Sequence, residues 1–230
     1  MTDRRSEIAS ALQSIETRVE SAARLSGRSR KDISLIVVTK TYPESDVAIL
    51  LDLGVVDFGE NRESEGREKS SVVSGRWHFQ GEVQSNKIGS IARWADVVHS
   101  LDNPKHISKF DSAVEEGKVL SVFLQVSLDH HTGGTTRGGA SPQDLDPLAE
   151  LALSSPHLNL LGLMAVAPLD ENPSMAFHRL SEIHADFRSK FPSAPYLSAG
   201  MSGDFEEAIA YGATHIRIGS SILGVRSLQR

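Results

Sequence analysis

The chain contains no cysteine, which excludes disulfides, thiolate zinc sites, iron–sulfur clusters and a thiol nucleophile. It also lacks a basic cluster: 24 Lys and Arg stand against 30 Asp and Glu, for a net charge of −6. Nucleic-acid surfaces gather Lys and Arg on one face, so no nucleic-acid partner is expected. Long hydrophobic runs are missing too. The longest apolar stretch, around 158–169, falls well short of the roughly 20 residues a membrane-spanning helix needs. Met1-Thr2-Asp3-Arg4-Arg5 leads into a polar helical pattern without the apolar core of a signal peptide. No linker or low-complexity tract divides the sequence. The expectation is a soluble, cytoplasmic protein with no membrane association. Its 230 residues, 39% of them hydrophobic, form one domain over 1–230.

Ile8, Leu12, Ile15, Val19 and Ala22 recur at helical spacing, and Ser26-Gly27 supplies a stop. This predicts a helix within residues 1–30, packed on the outside or the bottom of the remaining chain. Beyond it, short apolar runs fall at 34–38, 55–58, 77–80, 96–99, 119–126, 159–164, 196–198 and 215–218. Helix-length stretches separate them at 44–53, 62–71, 85–94, 104–116, 142–154, 173–191 and 204–211. Pro104, Pro142 and Pro173 each follow Asn or Ser at a helix start, and Gly54, Gly117 and Gly212 stand at helix ends. A strand returning parallel to its predecessor needs such a crossover. Eight repeats in this length predict an α/β fold, a single (β/α)8 TIM-type barrel with an extra N-terminal helix. An open doubly wound sheet fits less well: six strands would leave two unplaced, and no Gly-x-Gly-x-x-Gly fingerprint follows the first strand.

Barrel chemistry sits at the C-terminal ends of strands, and phosphate sites there are commonly built from the loops after strands seven and eight. Gly200-Met201-Ser202-Gly203 leads into a helix, with Gly219-Ser220-Ser221 ending the next strand. Glycine admits close approach of backbone N–H groups to an anion, and serine hydroxyls donate. Either loop alone reads as ordinary turn chemistry; both at the two expected ends point to a phosphate-bearing ligand. Lys40 closes the buried run Leu35-Ile36-Val37-Val38. A lone strand-end lysine commonly snorkels to solvent, whereas a partly desolvated amine beside a phosphate site suits Schiff-base chemistry. Lysine and phosphate site together fit pyridoxal 5′-phosphate (PLP), a Schiff-base aldolase or a sugar-phosphate isomerase. Arg217, just before the second phosphate loop, is either a salt-bridge arginine or a partner for a pyridine nitrogen.

Larger fragments carry a family resemblance. Val37-Val38-Thr39-Lys40-Thr41-Tyr42-Pro43, Phe58-Gly59-Glu60-Asn61, Trp77-His78-Phe79-Gln80-Gly81, Gln84-Ser85-Asn86-Lys87, Gly162-Leu163-Met164, Leu197-Ser198-Ala199-Gly200-Met201-Ser202, Arg217-Ile218-Gly219 and Ile222-Leu223-Gly224-x-Arg226 occur in order. Together they resemble the pyridoxal phosphate homeostasis proteins, relatives of the N-terminal barrel of alanine racemase. The resemblance implies a PLP-binding barrel that buffers or delivers the cofactor without robust catalysis. It makes Lys40 the Schiff-base lysine, puts Ser202, Gly219 and Ser220 on the phosphate, and sets Arg217 against the pyridine nitrogen. Asn61, His78 and Met164 would line the pocket, with a satisfied core histidine as the plainer reading of His78. PLP-dependent apoenzymes are the implied recipients. The chain departs from the pattern at Gln80, Glu82 and Val83, where aliphatic residues and Leu are usual, and at Ala199, where a larger apolar residue is common. Thr136-Arg137-Gly138-Gly139 replaces a Ser-Lys-x-Gly run.

The alternatives are an alanine-type racemase and a phosphate-ligand barrel that forms no Schiff base. Racemisation needs acid/base groups on both faces of the reacting carbon. The second domain that carries the opposing tyrosine in alanine racemases is not expected here, and Tyr42 shares its strand end with Lys40. No metal site is expected: His178 and His184 are six residues apart on a helix and face different directions. The glycine-rich stretch 129–139 reads as a surface loop, with a lid over the mouth as the sharper alternative. Glu63, Glu65 and Glu68 mixed with Arg62, Arg67 and Lys69 read as a solvated helix face. A monomer is expected, a dimer being the alternative.

Overall fold

The computed structural model describes residues 3–129 and 138–224. Over them the chain runs α1 (Arg4–Leu25), β1 (Ser34–Val38), α2 (Glu44–Asp52), β2 (Asp57–Glu60), α3 (Glu63–Ser70), β3 (Arg76–Phe79), α4 (Ile88–Trp94) and β4 (Val97–Leu101). It continues with α5 (Pro104–Ala113), β5 (Leu120–Gln125), α6 (Leu145–Ser154), β6 (Leu158–Met164), α7 (Pro173–Lys190), β7 (Tyr196–Ser198), α8 (Phe205–Ala210), β8 (His215–Ile218) and α9 (Ser220–Leu223). The strands close a barrel in sequence order, β1 pairing with β8, every pair parallel. This is the (β/α)8 barrel that the alternating pattern predicts.

Strand alternation divides two cores. Leu35, Val37, Phe58, Val98, Val122, Leu124, Leu163, Ile216 and Ile218 face the helices in one continuous cluster, while Val97, Phe123 and Met164 pack in a separate one inside the barrel. A side chain at Gly59 would meet the Ile36 methyl and the Gln80 amide. That contact sets Ile36 on the lumen side, and with it Val38 by the same period of two; Lys40 follows two residues beyond the strand.

The helix within 1–30 settles on the outside. α1 packs against α2, α8 and α9. Arg4 reaches Asp46 at 2.6 Å and the Leu223 carbonyl at 3.0 Å, and Arg28 donates to the Ala213 carbonyl at 2.7 Å. Strand boundaries shift by one or two residues. The helix expected from 85 begins only at Ile88, because Gln84–Lys87 close a turn, with Lys87 N–H donating to Gln84 O. The helix expected to 116 stops at Ala113, where Val114 turns extended and buries its side chain. α9 escaped the pattern because one four-residue turn carries no periodicity. No helix among the described residues is long and apolar enough to cross a membrane.

Candidate functional site

The C-terminal strand ends gather the sequence-selected residues in two layers. Lys40, Asn61 and Ser220 are exposed at the mouth, and Ser202 and Gly219 are half-buried there. Met164, His78 and Arg217 lie buried below. Gly219 seats the β8 loop directly on β1: a Cβ there would stand 3.0 Å from the Val38 carbonyl oxygen. The Gly219 loop and the end of β1, two residues before Lys40, therefore share one edge of the mouth. Ser220 opens α9, so its N–H and that of Ser221 belong to the first turn, whose donors have no partner within a helix. On the β7 side the carboxylate of Asp204 accepts Met201 N–H at 2.6 Å and fixes the turn that presents Ser202. Gly200, at φ 91°, would drive a Cβ into Ala208 and Phe205, so only glycine lets that turn lie on α8.

Beneath the mouth a hydrogen-bonded chain crosses the lumen. Arg217 Nη1 donates to Ser198 Oγ at 2.7 Å and Nη2 to the Ala165 carbonyl at 3.1 Å. Ser198 Oγ lies 2.9 Å from His99 Nδ1, His99 Nε2 lies 2.9 Å from His78 Nδ1, and His78 Nε2 lies 2.9 Å from Asp57 Oδ1. Burial lowers the pKa of His78 and, much further, that of His99. Asp57 is held well below the usual carboxylate range by its hydrogen bonds to His78 and Arg76, which outweigh its own burial. A neutral imidazole has one donor and one acceptor. With Asp57 ionised and both rings neutral, donors run in one direction from Arg217 through Ser198, His99 and His78 to Asp57, and every ring nitrogen is satisfied. Burial draws the Arg217 guanidinium down to about 10, so it stays charged at neutral pH. Sequence reading singled out His78 and Arg217 but passed over Ser198 and His99, which connect them.

Behind Lys40 the supposed solvated face of α3 is corrected. Lys69 is buried, and its ammonium donates to the Thr39 carbonyl at 2.8 Å and to Glu60 Oε1 at 2.6 Å. Thr39 Oγ1 donates to the same Glu60 oxygen at 2.6 Å. Glu65 accepts Thr41 N–H at 2.6 Å, holding a β-branched residue at φ 68°, a conformation costing about 1–3 kcal/mol. Both backbone neighbours of Lys40 are thus gripped from outside the barrel. A mixed-charge helix reads as solvated when its partners, here Glu60 and two backbone groups, lie elsewhere in the sequence. Arg62, Arg67 and Glu68 do remain exposed.

The tyrosines stand away from the mouth's far side. Tyr42 hydroxyl donates to the Gly224 carbonyl, Tyr211 hydroxyl lies 2.9 Å from Ser174 Oγ, and Tyr196 begins β7 at the opposite end of the barrel. Among the described residues no group of three or more His, Asp or Glu could hold a metal ion. Most of the stretch read as a surface loop or a lid, and Arg226, lie outside the described residues; Gly139, at the far end of that stretch, donates its N–H to Asp102 at 3.1 Å.

Residues 11–227 match the alanine racemase N-terminal domain family. A pyridoxal phosphate homeostasis protein of Mycobacterium bovis is 40% identical over 99% of this chain and 96% of its own length. PipY of Synechococcus elongatus, solved with PLP bound, is 28% identical and superimposes with a TM-score of 0.79 over 94% of this chain and all of its own. Alanine racemase from Corynebacterium glutamicum shares the fold at 15% identity, with a TM-score of 0.66 over 95% of this chain and 64% of the racemase.

Proposed function

The chain belongs to the pyridoxal phosphate homeostasis proteins, within the alanine racemase N-terminal domain family, and from that premise we propose that its barrel holds PLP as a Schiff base on Lys40 and buffers or delivers it without turnover of its own. The observation that carries this reading is the seating of Gly219 on Val38, which sets a phosphate-type loop beside the strand end that Lys40 follows by two residues.

When bound, the cofactor supplies an aldehyde that captures amines and a ring that withdraws electrons. The chain's own residues divide the rest. Lys40 supplies the amine. Ser202, Gly219 and Ser220 hold the phosphate through hydroxyl and backbone donors, while Asn61 and Met164 line the ring, with His78 in the floor beneath. Arg217 faces the pyridine nitrogen; a guanidinium keeps its proton, so that nitrogen remains an acceptor and the ring a weak electron sink, which disfavours transamination. The racemase alternative is weakened by the tyrosine positions, since Tyr42 and Tyr211 are committed to Gly224 and Ser174. A cytoplasmic monomer that passes PLP to PLP-dependent apoenzymes is the setting that fits this chemistry.

The test is direct. Protein loaded with PLP should be yellow, borohydride should fix the cofactor, and mass spectrometry should find it on the Lys40 peptide. Lys40→Ala should lose the colour. A phosphate-binding barrel without a Schiff base would stay colourless, and a label on another lysine would overturn the assignment.

A further inference from the structure

We infer that Gln80 recognises the cofactor, its side-chain amide donating a hydrogen bond to the 3-oxygen of the pyridoxal ring. Gln80 follows directly on β3 at the mouth, where the family resemblance leads one to expect an aliphatic residue. Its side chain turns into the lumen and lies over Gly59: a Cβ there would be 2.5 Å from Gln80 Nε2 and 3.1 Å from Ile36 Cγ2. The nitrogen is buried and has no hydrogen-bond partner among the described residues. A buried unpaired donor is costly, and such groups are rare in folded proteins. Gly59 makes room for the amide, and no described residue accepts from it.

The inference rests on the cofactor reading above, which leaves one acceptor for this donor. The phosphate belongs to the β7 and β8 loops. The ring nitrogen belongs to Arg217, whose guanidinium spans Ser198 at the end of β7 and Ala165 just after β6. On the pyridoxal ring C3 and C5 flank C4 on opposite sides. A ring with C4 directed to Lys40, just beyond β1, and its C5 phosphate toward β7–β8 would carry its 3-oxygen on the far flank. In the closed eight-strand barrel that flank is β2–β4, where Gln80 stands. A donor there favours the ionised 3-oxygen, because hydrogen bonding to a charged form stabilises it.

The experiment compares wild type with Gln80→Met, of similar shape but without the donor. The proposal expects about tenfold weaker PLP binding in the variant, the worth of one hydrogen bond to a charged group. It also expects absorbance to move from the longer-wavelength ionised form of the ring to the shorter-wavelength neutral form. The thermal midpoint of the cofactor-free variant should be unchanged or higher, since an unpaired donor has been removed. With 3-deoxypyridoxal 5′-phosphate, wild type and variant should bind alike. Gln80→Glu, which sets a carboxylate against the oxygen, should weaken PLP binding further. Equal PLP affinity and spectrum in Gln80→Met, or an undiminished loss with the 3-deoxy analogue, would overturn the role of Gln80 alone. Failure of borohydride to label wild-type Lys40 would instead remove the cofactor reading beneath it.

Discussion

Lys69 shows how far one side chain's setting departs from its local pattern. The flanking charges describe a solvated helix, yet its ammonium is buried against Glu60 and the Thr39 carbonyl. Burial raises the Glu60 pKa above its ordinary value, and the Lys69 and Thr39 hydrogen bonds offset only part of that rise. Lys69→Met would strand the carboxylate, and breaking a buried pair from one side costs about 3–5 kcal/mol. Urea unfolding should report a loss of that order, larger at pH 8 than at pH 5. The sign follows from the pKa: a carboxylate raised in the folded state loses stability as pH climbs from its unfolded value through its folded one, and removing Lys69 raises Glu60 further, so the variant goes on losing stability where the wild type no longer does. A loss below about 1 kcal/mol would mean that the pair is as dispensable as a surface bridge. The same clamp fixes Thr39 and Thr41 on either side of Lys40, so the variant also tests how firmly the lysine is presented.

Among the elements, the junction of β8 with α9 bears the phosphate assignment proposed above. α9 is too short to be written as a periodic pattern, and its position follows from Gly219, which brings the turn against β1. Gly219→Ala would push a methyl to 3.0 Å from the Val38 carbonyl oxygen, a contact that backbone must relieve by a few tenths of an ångström. The barrel should survive, with a change in stability of about 1 kcal/mol, while the phosphate cradle shifts relative to Lys40. Cofactor titration should then show PLP affinity lowered at least about tenfold. Unchanged affinity would show that the phosphate is held elsewhere, most plainly by the Ser202 turn alone. The elements most legible in the sequence were α1 from its periodicity, α7 from its Asn172-Pro173 start, and β1, β7 and β8, whose bounds the short runs matched. Errors gathered at ends such as 85–87 and 114–116, where a turn or a buried valine overrides propensity.

Over the whole molecule, the buried histidines, three in the lumen and His184 on α7, should make folding acid-sensitive. Burial lowers His99 well below its ordinary value, His184 to about 4 and His215 to about 3, with His78 moved the same way. Below pH about 6.5 the unfolded chain takes up protons that these folded rings refuse, so each buried histidine removes about 1.4 kcal/mol per pH unit until its folded pKa is reached. Asp57, lowered by its partners, adds its own loss below pH about 4, since a depressed carboxylate stabilises only above its unfolded value. Unfolding free energy should therefore fall steeply from pH 7 to 5, and a flat profile there would rule out neutral interior histidines. The sequence by itself determined the barrel, the strand-end lysine and the glycine–serine loops, because repeat order, strand period and turn chemistry are local properties. Only the tertiary structure decided that Lys69 is interior, that Ser198 and His99 join Arg217 to His78, and that the Gln80 amide nitrogen has no acceptor among the described residues. These depend on which distant residues a closed barrel brings face to face, and no spacing along the chain encodes that.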